Sequence, residues 1–288
     1  MATSVDNKAA RPQQESAPFM SSHETLSEDS LKYIKDNRIS QLMEYMLRSI
    51  LREKPGDPVK HIHEMTTQPF PPQIVLLGPP ASGKGTQALE ICNYYKDTTG
   101  RKPVHVSSGD LLREEVSKGT HLGKIAEDYM AKGDLVPDSL ITGMVRNRLS
   151  QDDAVLNGWL LDGFPRTRAQ AEDLDTAGFC PRLVIALETP EHILIERVEG
   201  RRTDPVTGHI YHLKYNPPPA KDKALIERLQ HREDDSRDVL VPRLKRYHEM
   251  LDGLLGFYEP LIVHIDANRP PDDITEDIAN HLSKISTA

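Results

Sequence analysis

The sequence predicts an α/β protein in which a parallel sheet is covered by helices on both faces, with a small helical hairpin before it. Three observations predict this fold class. Short apolar runs alternate with longer helical patterns after residue 73, a glycine-rich segment follows the first run, and a separate apolar stripe of helical period lies upstream. Short buried strands that alternate with helices are typical of a parallel sheet.

The periodicity divides the chain into four segments. Residues 1–30 mix small, polar and charged residues without periodicity, which favours a disordered tail. Residues 31–66 carry the helical stripe, residues 67–72 form a proline-containing linker, and residues 73–288 hold the alternating pattern.

The segment 31–66 predicts two helices. Apolar residues at positions 39, 42, 43, 46, 47, 50 and 51 form one continuous stripe. The turn Pro55-Gly56-Asp57-Pro58 ends the first helix, and Asp57 is placed to cap the second. A hairpin of this size cannot bury its own apolar faces. The stripe therefore packs either on the neighbouring domain or on a second copy of the chain, and periodicity alone favours neither.

Composition excludes several classes of protein. The 36 Lys and Arg against 44 Asp and Glu give a formal net charge of −8, which argues against a nucleic-acid binder. The apolar runs are far shorter than the roughly 20 residues that cross a bilayer, and the N-terminus lacks a signal-peptide core. Cys92 and Cys180 are typical of buried thiols in a reducing compartment. We expect a cytoplasmic protein that binds neither nucleic acid nor membranes.

The candidate strands are five short apolar runs bounded by Gly, Pro or Asp, at residues 74–77, 104–106, 159–161, 183–187 and 261–265.

A glycine-rich segment, residues 78–86, joins the first candidate strand to a helical pattern. Such a turn directs backbone N–H groups and a helix N-terminus to one point where a phosphate can bind, and Lys84 adds a positive charge. An ordinary glycine-rich turn could show the same spacing by chance. Gly85 stands where many phosphate loops carry the Ser or Thr that binds magnesium, so Thr86 or an acidic residue elsewhere must help to hold the metal.

Asp162 is the candidate for that acidic residue. It directly follows the apolar run at 159–161, and an Asp at the tip of a neighbouring strand can bind Mg²⁺ directly or through water. The alternative is that Asp162 caps a helix. Arg166, four residues further on, adds a group that can bind phosphate and favours the metal site.

Six motifs occur in the order and spacing of adenylate kinases, over about residues 73–286, so the sequence resembles that family. They lie at residues 78–86, 107–113, 133–136, 162–166 with Gln170, 200–202 and 232–235. The resemblance implies a P-loop nucleoside monophosphate kinase fold with a five-stranded parallel sheet and a mobile lid at about 201–232. It also implies the reversible reaction ATP + AMP = 2 ADP, with Mg²⁺ bound to ATP.

The resemblance further implies the site residues. The groups that grip the transferred phosphoryl group would be Lys84, Arg166, Arg201, Arg232 and Arg243. The ATP site would comprise Gly78, Pro79, Ala81, Ser82, Gly83, Lys84, Gly85, Thr86, Arg197, Arg201, Tyr211, His212 and Arg269. The AMP site would comprise Ser108, Arg113, Val136, Gly163, Arg166, Gln170, Arg232 and Arg243. Asp162 and Thr86 would hold magnesium through water. Ala81 replaces a glycine that is frequent in the family, a small change that the turn should tolerate if its backbone dihedrals stay in the ordinary region.

The 30 residues between Arg201 and Arg232 match the long lid of some adenylate kinases. This segment contains no Cys, and His209 with His212 is a poor tetrahedral set. We therefore expect no structural zinc.

Residues 31–66 resemble the dimerisation/docking helices of cAMP-dependent kinase regulatory subunits and Dpy-30-like proteins, most specifically in the turn at 54–58. The resemblance implies a homodimer that binds an amphipathic helix of an anchoring protein. Axonemal adenylate kinases with comparable helices suggest the cilium or flagellum as its location.

Two alternative functions remain at this point. The chain could be a nucleoside monophosphate kinase that uses GTP or a monophosphate other than AMP. It could also be a docking scaffold that merely retains the kinase fold, although Lys84, Asp162 and the arginines are all present.

Overall fold

The computed structural model describes residues 26–131, 136–231 and 235–286. Most of the predicted tail, the motif at 133–135 and Arg232 lie outside the described residues. The chain divides into two compact units, residues 1–40 and residues 41–288.

The first helix begins inside the predicted tail. Helix α1 spans Glu28–Asp36, and the Ser27 side chain caps it by accepting a hydrogen bond from the Ser30 N–H. Glu28 and Asp29 in the first turn complement the positive end of the helix dipole. The expected boundary at residue 30 is therefore wrong, because a capping serine followed by two acidic residues already starts a helix.

The predicted hairpin consists of α2, Ile39–Glu53, and α3, Pro58–Thr66. Asp57 caps α3 by accepting hydrogen bonds from the N–H groups of Val59 and Lys60, which confirms the predicted turn. Ser49 Oγ and His61 Nε2 lie 2.9 Å apart and connect the two helices.

A five-stranded parallel sheet forms the centre of the second unit, as predicted. Its strands are β1 Gln73–Leu77, β2 Val104–Ser107, β3 Trp159–Asp162, β4 Leu183–Glu188 and β7 Ile262–Asp266, in the order β2-β3-β1-β4-β7. Each overlaps a predicted run, and β7 begins one residue later than predicted. Asp162 is in register with Leu76 of β1 and with Ser107 of β2, which places the carboxyl ends of the three strands side by side.

Helices cover both faces of the sheet, because alternate residues of β1 enter two different apolar clusters. Val75 packs in one, whereas Ile74 and Leu76 pack in the other. The helices of this unit after α3 are α4 Lys84–Thr99, α5 Ser108–Ser117, α6 His121–Ala131, α7 Asp138–Leu149, α8 Asp152–Asn157, α9 Arg168–Thr176, α10 Glu191–Gly200, α11 Lys223–Arg228, α12 Arg237–Tyr258 and α13 Pro271–Ser286. A separate hairpin of β5, Arg201–Thr203, and β6, Ile210–His212, lies in the lid.

Helix α2 packs on the sheet domain with one face, which we call the inner face: Gln41, Tyr45 and Arg48. Gln41 Nε2 donates to the Gly178 carbonyl at 2.8 Å. The buried Tyr45 ring meets the Phe70 ring at a centroid distance of 5.1 Å, and Arg48 forms an ion pair with Asp152 at 2.6 Å.

The apolar stripe of α2 packs only in part. Its residues 39, 42, 46 and 50 are half-buried, whereas Met43, Leu47 and Leu51, which we call the outer face, are 49%, 57% and 63% exposed. The end of the linker packs against the sheet domain, since Pro71 and Pro72 are buried and the Pro72 carbonyl accepts a hydrogen bond from the Trp159 N–H at 2.8 Å.

Within the described residues, no helix combines the length and apolarity needed to span a membrane. Cys92 is buried, as predicted, and burial raises the pKa of its thiol to about 11. Cys180 is only half-buried and donates to the Asp175 carboxylate, so the expectation of two buried thiols holds for Cys92 alone.

Candidate active site

The loop of residues 78–86, which we call the phosphate loop, connects the end of β1 to the first turn of α4. Gly83 caps α4 with φ 98° and offers no side-chain hydrogen bond to the helix N-terminus. A Cβ at Gly78 would lie 2.7 Å from Ser82 Oγ, so only glycine fits there. Ser82 Oγ is buried without a partner among the described residues. A hydroxyl and a helix N-terminus that lack protein partners suit a phosphate.

Ala81 departs from the expectation drawn from the sequence. Its φ is 65°, in the left-handed region that disfavours residues with a Cβ, so the condition under which the turn should tolerate an alanine is not met. The tight turn imposes this conformation. The Ala81 methyl group packs against the cluster that contains Leu194 and Val198, and this contact offsets part of the strain.

Lys84 lies at the centre of a group of cations. Its Nζ donates to the carbonyls of Gly78 and Pro79 at 2.9 and 2.7 Å. Burial lowers the pKa of Lys84 to about 8; the Asp162 carboxylate opposes this shift, and the charges of three arginines add to it, Arg166, Arg243 and Arg201. Four cations so close together repel one another unless a polyanion lies between them.

Asp162 occupies the tip of β3, where the sequence predicted a metal anchor. Its side chain is largely buried, and Oδ2 lies 3.4 Å from His105 Nε2 on β2. The same oxygen lies 4.0 Å from the point that a Cβ on Gly85 would occupy, so the carboxylate stands beside the position where a Ser or Thr would bind magnesium. Thr86 is exposed in the first turn of α4. Sequence reasoning missed His105, because only the pairing of β2 with β3 brings it to Asp162.

The Asp162 carboxylate and the Thr86 hydroxyl group are oxygen donors, the kind of ligand that Mg²⁺ prefers. Within the described residues no group of three or more His, Cys, Asp and Glu side chains could hold a metal ion. The fit is therefore to a cation that keeps waters and substrate oxygens as its other ligands.

The candidate AMP site begins at Gly163, directly after β3. Ser108 Oγ and Arg166 Nε both donate to the Gly163 carbonyl at 2.8 Å. Gly163 has φ 74°, and a Cβ there would lie 3.1 Å from Ser108 Oγ, so glycine is required. Val136 is buried and lies two residues before the start of α7. In α5, Arg113 forms an ion pair with Asp110 of the first turn.

Gln170 lies in α9 and is 2% exposed. Its Oε1 accepts a hydrogen bond from the Arg166 N–H at 2.7 Å, and its Nε2 donates to Asp138 Oδ1 at 2.6 Å. Asp138 was not among the expected site residues, because no local pattern relates it to a residue 32 positions away.

Asp235 and Asp204, which were not among the predicted site residues, form ion pairs with arginines of the lid. Arg201 pairs with both oxygens of Asp235, which is 1% exposed. Asp204, also 1% exposed, accepts two hydrogen bonds from Arg228 at 2.8 Å and others from the Val206 N–H and Thr207 Oγ1. The Arg228 guanidinium holds the pKa of Asp204 well below its usual range.

The remaining ATP-site candidates lie near the lid and the end of β7. Arg197 donates to the carbonyls of Ser82 and Ala267 at 3.3 and 2.8 Å, which connects α10 to the phosphate loop. Tyr211 stacks edge-on against His209, and Arg269 pairs with Asp277.

His212 is held in one neutral form. Its Nδ1 accepts hydrogen bonds from the N–H groups of Lys214 and Tyr215 at 3.0 and 3.1 Å, which assigns the ring proton to Nε2, 3.4 Å from the Glu196 carbonyl. Burial lowers the pKa of His212. Both ring nitrogens are therefore engaged by backbone groups within the lid and α10.

A phosphate loop at the carboxyl end of a parallel sheet, with cations from three other segments around its lysine, defines a P-loop nucleotide phosphotransferase. The model of the family described as "Adenylate kinase" matches residues 76–262. The chain is 44% identical over 213 residues to "Probable adenylate kinase 2, chloroplastic" of Oryza sativa subsp. japonica, covering 74% of this chain and 71% of the relative. It is also 44% identical over 215 residues to "Adenylate kinase, chloroplastic" of Zea mays, covering 75% of this chain and 93% of the relative. The chain therefore belongs to the adenylate kinase family.

Proposed function

We propose that this adenylate kinase transfers the terminal phosphoryl group of ATP to AMP on the phosphate loop. The observation that carries the proposal is the grouping of Arg166, Arg201 and Arg243 around Lys84, whose pKa is lowered to about 8 chiefly by burial and further by the charges of these three arginines. Two bound nucleotides would place several negative charges among these cations. Arg232, outside the described residues, is assigned to the same group on sequence alone.

In this mechanism, the ATP phosphates lie on the phosphate loop and the AMP phosphate lies beside Arg166 and Arg113. A phosphate oxygen of AMP attacks the γ-phosphorus of ATP in line, the bond from that phosphorus to the β,γ-bridging oxygen breaks, and ADP leaves while AMP becomes the second ADP. The attacking oxygen needs no general base because it is already anionic. The arginines and Lys84 stabilise the charge of the transition state, while the lid excludes water. Asp162, with Thr86 through water, would hold magnesium, which supplies further charge neutralisation when bound.

A nucleotide panel tests the reaction. Purified protein with ATP and AMP should form two ADP, whereas GTP as donor, or CMP and UMP as acceptors, should react far more slowly. Preference for GTP or for a pyrimidine monophosphate would favour another nucleoside monophosphate kinase. No turnover with any pair would favour a scaffold that retains the fold.

The proposal includes a second role, in which residues 31–66 form a homodimer and dock on an amphipathic helix of an anchoring protein. The outer face of α2 supports it, since three large apolar side chains spaced along one helix face are costly to leave in water. A four-helix dimer would cover this face and present a groove for a partner helix. The inner face remains on the sheet domain, so docking would fix the orientation of the enzyme as well as its location.

Sedimentation of the full-length protein tests the dimer. Leu47→Glu places a charge in the outer face and should convert a dimer to a monomer with unchanged turnover. Leu89→Glu is the matched control, because Leu89 on α4 is similarly exposed at 49% and lies outside that face. A monomeric wild-type protein would contradict the proposal.

We also propose a cytoplasmic location, with attachment to the axoneme of a cilium or flagellum through the docking helices. A tagged wild-type protein should label the axoneme, whereas the Leu47→Glu variant should be diffuse. Import into chloroplasts, the location printed in the names of two relatives, would contradict this location.

A further inference from the structure

The side-chain amide of Gln170 is held at both of its ends. Its Oε1 accepts from the Arg166 backbone N–H, and its Nε2 donates to the Asp138 carboxylate. A backbone N–H can only donate, and an ionised carboxylate can only accept. These two partners therefore determine which end of the amide carries oxygen and which carries nitrogen.

Asp138 is itself fixed in place. It lies in the first turn of α7, and its other oxygen, Oδ2, accepts from Thr167 Oγ1 at 3.3 Å. Thr167 caps α9 by accepting from the Gln170 N–H at 3.2 Å. Both carboxylate oxygens are thus engaged by α9 and its cap. The amide of Gln170 keeps one N–H and one lone pair beyond its two bonds, counting partners within the described residues.

A fixed amide can distinguish one purine from another. Adenine presents a donor, the 6-amino group, beside an acceptor, N1, whereas hypoxanthine presents an acceptor, O6, beside a donor, N1–H. An amide that can rotate by 180° about its last bond matches either edge. An amide held in one orientation forms both hydrogen bonds with only one of these edges. With the other edge, donor faces donor and acceptor faces acceptor.

We propose that Asp138 is a specificity-determining positioning residue. By holding the Gln170 amide in one orientation, it makes the monophosphate site select a 6-aminopurine over a 6-oxopurine. The inference rests on the proposed function, because it takes Gln170 as a contact to the base of AMP. Asp138 acts through Gln170 and need not touch the nucleotide.

The test measures kcat/KM of the full-length enzyme with ATP and either AMP or IMP. Asp138→Asn should lower the AMP-to-IMP ratio of kcat/KM at least tenfold, whereas Asp138→Glu, which keeps a carboxylate acceptor, should retain part of the selectivity. The double variant Asp138→Asn/Gln170→Ala should have the same ratio as Gln170→Ala, because the aspartate acts only through the amide.

Asp153→Asn is the matched control. Asp153 also lies in the first turn of a helix and pairs with an arginine, Arg148, and its replacement should leave the ratio within twofold.

A merely structural Asp138 would produce a different result. Asp138→Asn would then reduce the turnover of AMP and IMP alike. If the AMP-to-IMP ratio of kcat/KM stays unchanged in Asp138→Asn but falls in Gln170→Ala, the inference is overturned and the assignment of Gln170 to the AMP site stands. An unchanged ratio in Gln170→Ala would overturn both the inference and the assignment of Gln170. A wild-type enzyme that does not phosphorylate AMP would overturn the proposed function itself.

Discussion

The phosphate loop and the outer face of α2 are opposite kinds of surface on the same domain. At the phosphate loop, Lys84 is surrounded by like charges that raise the free energy of the unliganded state. At the outer face of α2, Leu47 and Leu51 expose apolar area to water. Each surface is unfavourable alone and favourable when covered. The cations at the phosphate loop select their ligand narrowly, because few molecules carry several phosphates. An apolar face such as that of α2 can bind many different partners.

The largest expected effect comes from Lys84→Met, which should lower kcat by two or more orders of magnitude through loss of a charge at the transferred phosphoryl group. The matched control is Lys96→Met, since Lys96 lies in the last turn of the same helix. A Lys84→Met variant with near-normal kcat would contradict the assignment of the phosphate loop.

The same variant should not weaken the fold at pH 7. The folded-state pKa of Lys84 is about 8, below its ordinary value of 10.5, so the unfolded state binds more protons between these two values and the free energy of unfolding rises with pH there. At pH 7 the charged lysine costs up to about 3 kcal/mol, and its two carbonyl hydrogen bonds offset part of that cost. Chemical denaturation of the wild type should show the rise between pH 8 and 10.5, and Lys84→Met should abolish it.

The two faces of α2 allow a direct comparison on one helix. Tyr45→Ala on the inner face should lower the free energy of unfolding by about 2–4 kcal/mol, because it removes a buried ring that contacts Phe70. Leu47→Ala on the outer face should change it by less than about 0.5 kcal/mol at concentrations where the protein is monomeric. Equal losses in urea denaturation of the two variants would show that the outer face is packed within the monomer.

A smaller, local effect is expected in the lid. The pKa of Asp204 is lowered chiefly by the hydrogen bonds from Arg228, so its stabilisation is complete above the ordinary Asp value and is lost as pH falls below it. The hydrogen-exchange protection factors of β5 and β6, relative to the intrinsic rate at each pH, should therefore fall below about pH 4 in the wild type. Asp204→Asn should exchange rapidly at neutral pH also, without loss of global stability. Unchanged exchange in this variant would show that contacts other than those of Asp204 stabilise the β5–β6 hairpin.

Much of this fold could be predicted from local sequence, for physical reasons. Strands such as Gln73–Leu77 and Leu183–Glu188 are largely apolar because both faces of the sheet are covered. Asp57 followed by Pro58 signals a helix start by itself. The partners of the site residues could not be predicted, because the pairs Asp138–Gln170 and Arg201–Asp235 join residues about 30 positions apart that meet only in the fold.

The smallest expected effect comes from Ala81→Gly, at a position where several terms nearly cancel. Relief of the left-handed backbone at φ 65° favours the glycine by about 1–2 kcal/mol. Loss of the half-buried methyl group costs less than about 0.8 kcal/mol, and the added freedom of the unfolded chain costs a further ~0.4–1 kcal/mol. The net change in the free energy of unfolding should lie between about −1 and +1.5 kcal/mol, which explains how an alanine is tolerated in this turn. Ala81→Val, whose branched side chain is far worse at positive φ, should be clearly destabilised in the same urea denaturation. Equal stability of the valine and glycine variants would show that residue 81 is not held in the left-handed conformation.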